Sequence, residues 1–268
     1  MRSRSSILAV LAALCTLAAM LAATTANAAQ SRASSSKLVF CSDITYPPEE
    51  FYKGTKPVGS DIEIGTAIAK QLGKKSQFNN TGFDGIIAAL LAKKCDAIIS
   101  GMNDTAERRK QVAFVDYLSV GQSLMVKKGN PKHITSLTSL SGHSVSVEVG
   151  TTNKTFLDQE SKKLKAKGKK AIKVVAFPKD TDAAAALKTG RTDAYFGDSP
   201  VVAYYISKDK SFAFGGQPIN PIPVGIAIRK HDALVGRIQN AVSTLYKNGT
   251  MKKILTKWKM TDFALKKK

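Results

Sequence analysis

Residues 83–109 read FDGIIAALLAKKCDAIISGMNDTAERR, and this stretch decides the fold. Ile86, Ile87, Leu90 and Leu91 recur at helical spacing, which predicts a helix over Asp84 to Lys94 with one buried side. Asp96 to Ser100 (DAIIS) then reads as a short apolar strand. A helix that feeds a strand through a basic turn is a building block of layered α/β sheets. The same arrangement returns in AALKTGRTDAYFGD (185–198), where Asp182 to Lys188 is helical, Gly190-Arg191 turns and Asp193 to Phe196 is a strand. Each unit runs helix, basic turn, Asp-Ala, apolar strand and polar strand end, which predicts two lobes of similar build.

Working outward, Lys37 to Ser42 (KLVFCS) reads as a first strand. Asp61 to Leu72 reads as a helix, with Ile64, Ile68 and Leu72 four apart and Gly73 at its stop. Ser123 to Lys127 (SLMVK) and Val224 to Arg229 (VGIAIR) are apolar strands placed to carry the chain from one lobe to the other and back. In open α/β sheets ligands sit beyond the carboxyl ends of strands, which directs attention to Asp43, Ser100, Gly150 and Asp198.

The amino terminus is set apart. Arg2 and Arg4 precede an apolar run from Ile7 to Ala23 and then Ala26-Asn27-Ala28, the pattern of an export signal cleaved before Ala29. Cys15 follows a bulky Leu14 where a lipobox would want a small residue, so lipidation is not expected. Export places the mature chain in an oxidising compartment. Even so, Cys41 and Cys95 fall several residues out of register on neighbouring strands, and the reading leaves them unpaired.

A net charge of +21 raises the question of nucleic acid. The lysines concentrate in Ser161 to Lys173 and from Lys252 to Lys268, without interleaved aromatic residues to stack on bases, so a solvated cationic surface is expected instead. His133, His143 and His231 have no metal-ligand spacing, and there is no G-x-S-x-G elbow, P-loop or cysteine beside an obvious base. No metal, cofactor or catalytic residue is expected. Glu49-Glu50 reads as part of a solvated loop close to the cleft.

Arg108 is the sharpest local anomaly. Thr105 looks like an N-cap and Ala106-Glu107-Arg108 like a first helical turn, where the macrodipole disfavours a cation. A guanidinium beside free helix N–H groups suits a bidentate carboxylate; the plain alternative is an exposed arginine beside Glu107 or Asp104. Thr151 and Thr152 open another helix after Gly150, and either caps it or grips the same anion. Asp198 either accepts from an ammonium group or caps the segment after Pro200, and Tyr46 and Phe83 are aromatic residues in loops near strand ends.

Taken together, the segments resemble the extracytoplasmic solute-binding proteins of polar amino-acid ABC importers, family 3. The matching stretches are CSDITYPPEEF (41–51), VGSDIEIGTAIAKQLG (58–73), residues 83–109, VAFVDY (112–117), SLMVKKG (123–129), VEVGTT (147–152) and AALKTGRTDAYFGDSPVVAYY (185–205). The resemblance implies an α/β, two-lobed periplasmic binding protein type II fold, with two mixed sheets flanked by helices and joined by two crossover segments. On that plan 1–28 is the signal, 29–36 a flexible start, 37–125 with 224–262 the first lobe, 126–223 the second and 263–268 a basic tail.

The resemblance also implies roles. Arg108 meets a ligand α-carboxylate, helped by Ser100, Gly101, Asn103 and Thr152; Asp198 receives the α-ammonium; Tyr46 and Phe83 sandwich the side chain, and Asp43 reaches its end. The partners implied are a polar amino acid and a membrane permease, with the protein a periplasmic monomer. Two departures, Glu49 where the family commonly has an aromatic residue and Asn103-Asp104 where it has Ser or Thr before an apolar one, bear on side-chain specificity. Acidic residues near the pocket lean towards a cationic or amide side chain. The alternatives are a periplasmic dehydratase acting on prephenate or arogenate, which the same fold is known to host, and a sensory module for a membrane receptor.

Overall fold

The computed structural model describes residues 36–265. The export signal and Cys15 lie outside the described residues. The chain opens with β1 (Lys37–Ser42), followed by a hairpin sheet of β2 (Thr45–Tyr46), β3 (Glu50–Lys53) and β4 (Lys56–Val58). Next come α1 (Ser60–Gln71), β5 (Lys75–Asn80), α2 (Ile86–Leu91), β6 (Ala97–Ile98), α3 (Ala106–Arg109) and the long β7 (Val112–Lys127). Beyond it lie β8 (Ser144–Glu148), α4 (Thr152–Ala166), β9 (Lys173–Phe177), α5 (Asp180–Lys188), β10 (Ala194–Asp198), α6 (Ser199–Lys208) and β11 (Phe212–Phe214). The return strand β12 (Ile219–Arg229) leads to α7 (Leu234–Lys247) and α8 (Thr250–Trp258).

The main sheet runs β5-β1-β6-β12-β7-β10-β8-β9, with β11 beside β7. β1 is parallel to β5 and β6, and β8 is parallel to β9 and β10. Between these two parallel groups β7 and β12 pair antiparallel, from Val112 opposite Arg229 to Gln122 opposite Ile219. The two expected crossover strands are therefore the ends of one long ribbon. It makes the sheets of the two halves continuous, and its register shifts between Ile219 and Ile222 and between Val224 and Gly225 let it bend.

Helices cover both faces of each group. In the first half, Ile64 and Ile68 of α1 join Leu38, Phe40, Ile238 and Leu255 in one core, while Ile86 and Leu90 of α2 join Ile98 and Met102 on the opposite face. In the second half, Leu157 and Leu164 of α4 pack with Val145, Val147 and Phe196. Across that sheet Ala183 and Leu187 of α5 meet Met125, Tyr195 and Val201. The two sequence repeats occupy corresponding places. Asp96 N–H donates to Val39 O and its carboxylate accepts from Val39 N–H, and Asp193 does the same with Ser144. The shared Asp-Ala thus staples each strand to its parallel neighbour, which is why the residue types repeat.

The unpaired reading of the cysteines is corrected. Cys41 and Cys95 form a disulfide, with Cα atoms 5.6 Å apart. The register does set Cys41 opposite Ile98, but Cys95 and Asp96 are not a straight extension of β6. The chain bends there, held by the two Asp96–Val39 bonds, and the bend carries the thiol back to β1.

Candidate functional site

The strand ends named from sequence converge on the groove between the halves. Thr105 caps α3 as expected, its hydroxyl accepting from Arg108 N–H at 3.2 Å. The Arg108 guanidinium turns into the cleft over the Phe83 ring, 5.3 Å from its centroid. There it donates to Asn103 O at 2.8 Å and, across the cleft, to Gly150 O at 3.1 Å. The alternative of an arginine beside Asp104 is realised by its neighbour: Arg109 pairs with Asp104. Burial lowers the Arg108 guanidinium to about 10, so it stays a cation at neutral pH.

Thr151 caps α4 by accepting from Lys154 N–H, which leaves the Thr152 hydroxyl to donate to Asn103 Oδ1 at 2.5 Å. Gly150 holds φ +78°, and an added Cβ would lie 2.8 Å from Asp84 Cα, so only glycine lets the two halves approach this closely. The Asn103 amide nitrogen is buried and makes no close hydrogen bond among the described residues, though it lies near enough to Asp198 to help lower that carboxyl. A guanidinium and a free amide donor side by side are what a carboxylate requires.

Asp198 stands at the end of β10, 2 % exposed, and makes no side-chain cap to α6. Its Oδ1 accepts from the Asn153 amide at 3.0 Å, and its backbone N–H donates to the Tyr46 hydroxyl at 3.2 Å. Burial raises Asp198 to about 6, opposed by the Asn153 hydrogen bond and the Arg108 charge. Tyr46 itself is buried against the second half's core and against Gly101, whose N–H donates to Asp61. Ser100 is buried beneath the cleft floor: its hydroxyl accepts from Asp43 N–H and donates to Glu50 at 2.8 Å.

Asp43 is more self-contained than the resemblance implies. One oxygen accepts from the Thr45 hydroxyl at 2.7 Å and the other from Phe83 N–H at 2.8 Å, so it also shapes the loop that presents Phe83. Burial raises its carboxyl above the ordinary aspartate value.

The solvated reading of Glu49-Glu50 is corrected: the two are 2 % and 0 % exposed. The hairpin folds back over α1, with Asp61 N–H donating to Glu49 O, and this tucks both acids under the cleft beside Asp61. Burial, reinforced by Asp61, pushes both carboxyls well above the usual range. Sequence reasoning also missed Glu148 and Asp180 in the second half. Asp180 is buried and accepts from the Tyr195 and Tyr205 hydroxyls at 2.5 and 2.8 Å, and burial raises it to about 7. Glu148 is the lone acid ending the apolar strand SVSVE, the one signal that marked it.

The arrangement is one half-buried guanidinium with donors at one end and a set of buried carboxylates around the rest. Among the described residues no group of His, Cys, Asp and Glu is arranged to hold a metal, and no helix is long and apolar enough to cross a membrane.

Comparison with known proteins shows the family. Residues 38–261 match the model of the bacterial extracellular solute-binding proteins, family 3, and the chain belongs to that family. It is 31 % identical over 230 residues to the ABC transporter arginine-binding protein 1 of Escherichia coli (strain K12), covering 83 % of this chain and 90 % of that protein. An ancestral arginine-binding protein solved with arginine superposes with a TM-score of 0.78 at 37 % identity, covering 83 % of this chain and 98 % of that one. AncCDT-1, an ancestral amino acid-binding protein described as a precursor of cyclohexadienyl dehydratase, superposes at 0.74 with 35 % identity over 83 % and 95 %. The fold is that of the periplasmic binding proteins.

Proposed function

We propose that the protein binds an amino acid with a cationic side chain, arginine foremost, and delivers it to an ABC transporter permease. Binding of a solute is the role its family membership carries. The cationic preference rests on the site. One observation carries it: Arg108 reaches across the cleft to Gly150 O, while the buried charged residues where the halves meet, Asp43, Glu148, Asp180 and Asp198, are carboxylates. A bound α-carboxylate takes the guanidinium and the Asn103 amide, and the α-ammonium takes Asp198. Phe83 and Tyr46 flank the side chain, whose positive charge offsets the remaining acids.

Residues 37–125 with 224–262 act as one lobe and 126–223 as the other, hinged at the bend of the β7–β12 ribbon. The contacts that would make and break on closure are Arg108 to Gly150, Thr152 to Asn103 and Tyr46 to Asp198. Relatives named as periplasmic or extracellular proteins support export, after which the protein works as a monomer. It acts as a binding protein and not an enzyme. The kinship with AncCDT-1 raises a dehydratase reading, but prephenate brings two carboxylates to a cleft with one half-buried arginine and several buried acids.

A thermal-shift screen against the twenty amino acids, ornithine and prephenate tests this. A ligand at about 100 times its Kd adds about 2.7 kcal/mol to stability. For a chain of this size that is roughly 5–10 °C, expected for arginine, lysine or ornithine and not for glutamate or prephenate. A shift with prephenate alone, or with acidic amino acids alone, contradicts the proposal.

A further inference from the structure

We propose that Glu148 is the residue that selects for charge in the ligand side chain, acting with Asp43 from the opposite half; this rests on the cationic reading above. The two carboxylates are linked through the Thr45 hydroxyl and the Asp180 N–H. Thr45 Oγ1 donates to Asp43 Oδ1 at 2.7 Å and accepts from Asp180 N–H at 3.4 Å, and the same Asp180 N–H faces the Glu148 carboxylate. Three acids, one just past the end of β1 and the others on β8 and α5, are thus drawn to one spot where the halves touch.

Their hydrogen bonding separates them. Asp180 is saturated by two tyrosine hydroxyls, and Asp43 has one donor on each oxygen. Glu148 is 3 % exposed, and its Oε1 has no partner among the described residues. Near Arg108 the unpartnered buried atoms include a donor, Asn103 Nδ2, and an acceptor, Gln122 Oε1; at the end of β8 the unpartnered atom is the Glu148 carboxylate oxygen, which carries charge. Of the three acids gathered there, Glu148 is therefore the one with an oxygen still to fill.

The consequence is selection against neutral ligands as well as for cationic ones. Closing the halves on a neutral side chain leaves Asp43, Asp180 and Glu148 crowded with only the exposed Lys179 as a nearby counter-charge, and protonating one of them is the alternative cost. Closing on a guanidinium or ammonium supplies the charge and donates to Oε1. Burial and the neighbouring acids hold the Glu148 carboxyl well above its ordinary range, in keeping with that strain.

The test is calorimetry of wild type and Glu148→Gln with arginine and with citrulline, which replaces the guanidinium by a neutral ureido group of the same shape. Wild type binds arginine at least about 100-fold more tightly than citrulline. Glu148→Gln weakens arginine about 10- to 100-fold, the range for losing a charged hydrogen-bond partner, while citrulline holds or improves. The variant relieves a crowded buried charge, so its melting temperature without ligand is no lower than wild type's. Arginine binding by wild type with an unchanged arginine-to-citrulline ratio in Glu148→Gln overturns this inference and leaves the ligand reading standing. A wild type that binds citrulline as tightly as arginine overturns it whether or not the variant folds. No binding of arginine, lysine or ornithine by wild type overturns both.

Discussion

Replacing Arg108 by alanine removes two donors and a stacked ring contact: the bonds to Asn103 O at 2.8 Å and Gly150 O at 3.1 Å, and the approach to Phe83 at 5.3 Å. In the ligand-free protein the two bonds end on neutral carbonyls, worth about 1 kcal/mol each, and are set against the burial that depresses the guanidinium. The empty variant is therefore expected within about 2 kcal/mol of wild type. The ligand suffers far more, because its carboxylate loses the guanidinium that faces it once the cleft has closed over both. Truncating one partner of such a pair costs about 2–5 kcal/mol, and at ~1.4 kcal/mol per decade the affinity falls at least about 30-fold. Isothermal titration with arginine measures it directly, and Arg109→Ala is the control. That guanidinium lies on the exposed side, paired with Asp104, and its loss leaves affinity within about twofold. A Kd for Arg108→Ala within about threefold of wild type would refute the assignment.

Two further outcomes follow from the same geometry. Burial holds Asp198 at about 6, above its unfolded value of 3.8, so the folded state takes up a proton between these values. The stability this gives is present below pH 4 and lost as pH rises through 6. Wild type is therefore destabilised relative to Asp198→Asn by an amount that grows from pH 4 to 7.5, on the order of 2–3 kcal/mol. Arginine affinity moves the other way, strengthening as pH climbs through 6 and the carboxylate ionises; a flat profile between pH 5 and 7.5 counts against Asp198 as the ammonium's partner. The second outcome concerns the disulfide, which closes a sequence separation of 54. The loop-closure model gives it about 4 kcal/mol, so Cys41→Ser with Cys95→Ser lowers the melting temperature by roughly 8–16 °C while arginine still binds.

How much of this was legible in the sequence depends on how local each cause is. The Asp-Ala repeat was legible because Asp96 and Asp193 each bond their neighbouring strand through their own backbone and side chain, and the same task selects the same residues. Arg108 was legible because a cation in a first helical turn conflicts with the local dipole unless an anion meets it. The burial of Glu49 and Glu50 was not, since it depends on where the hairpin folds over α1, and the charge of a Glu-Glu pair argues locally for solvent. Glu148 and Asp180 come from a strand and a helix 32 residues apart, and only the contact between the two halves brings them to Asp43. The disulfide was misread because a register argument treats a strand as straight, and Asp96 bends it.

The most direct measurement is a crystal structure of the protein grown with arginine. It should show the ligand's carboxylate against the Arg108 guanidinium and the Asn103 amide, its ammonium on Asp198, and its guanidinium against Glu148 and Asp43. Arginine bound elsewhere, or lying in the cleft with its carboxylate turned away from Arg108, would contradict the account.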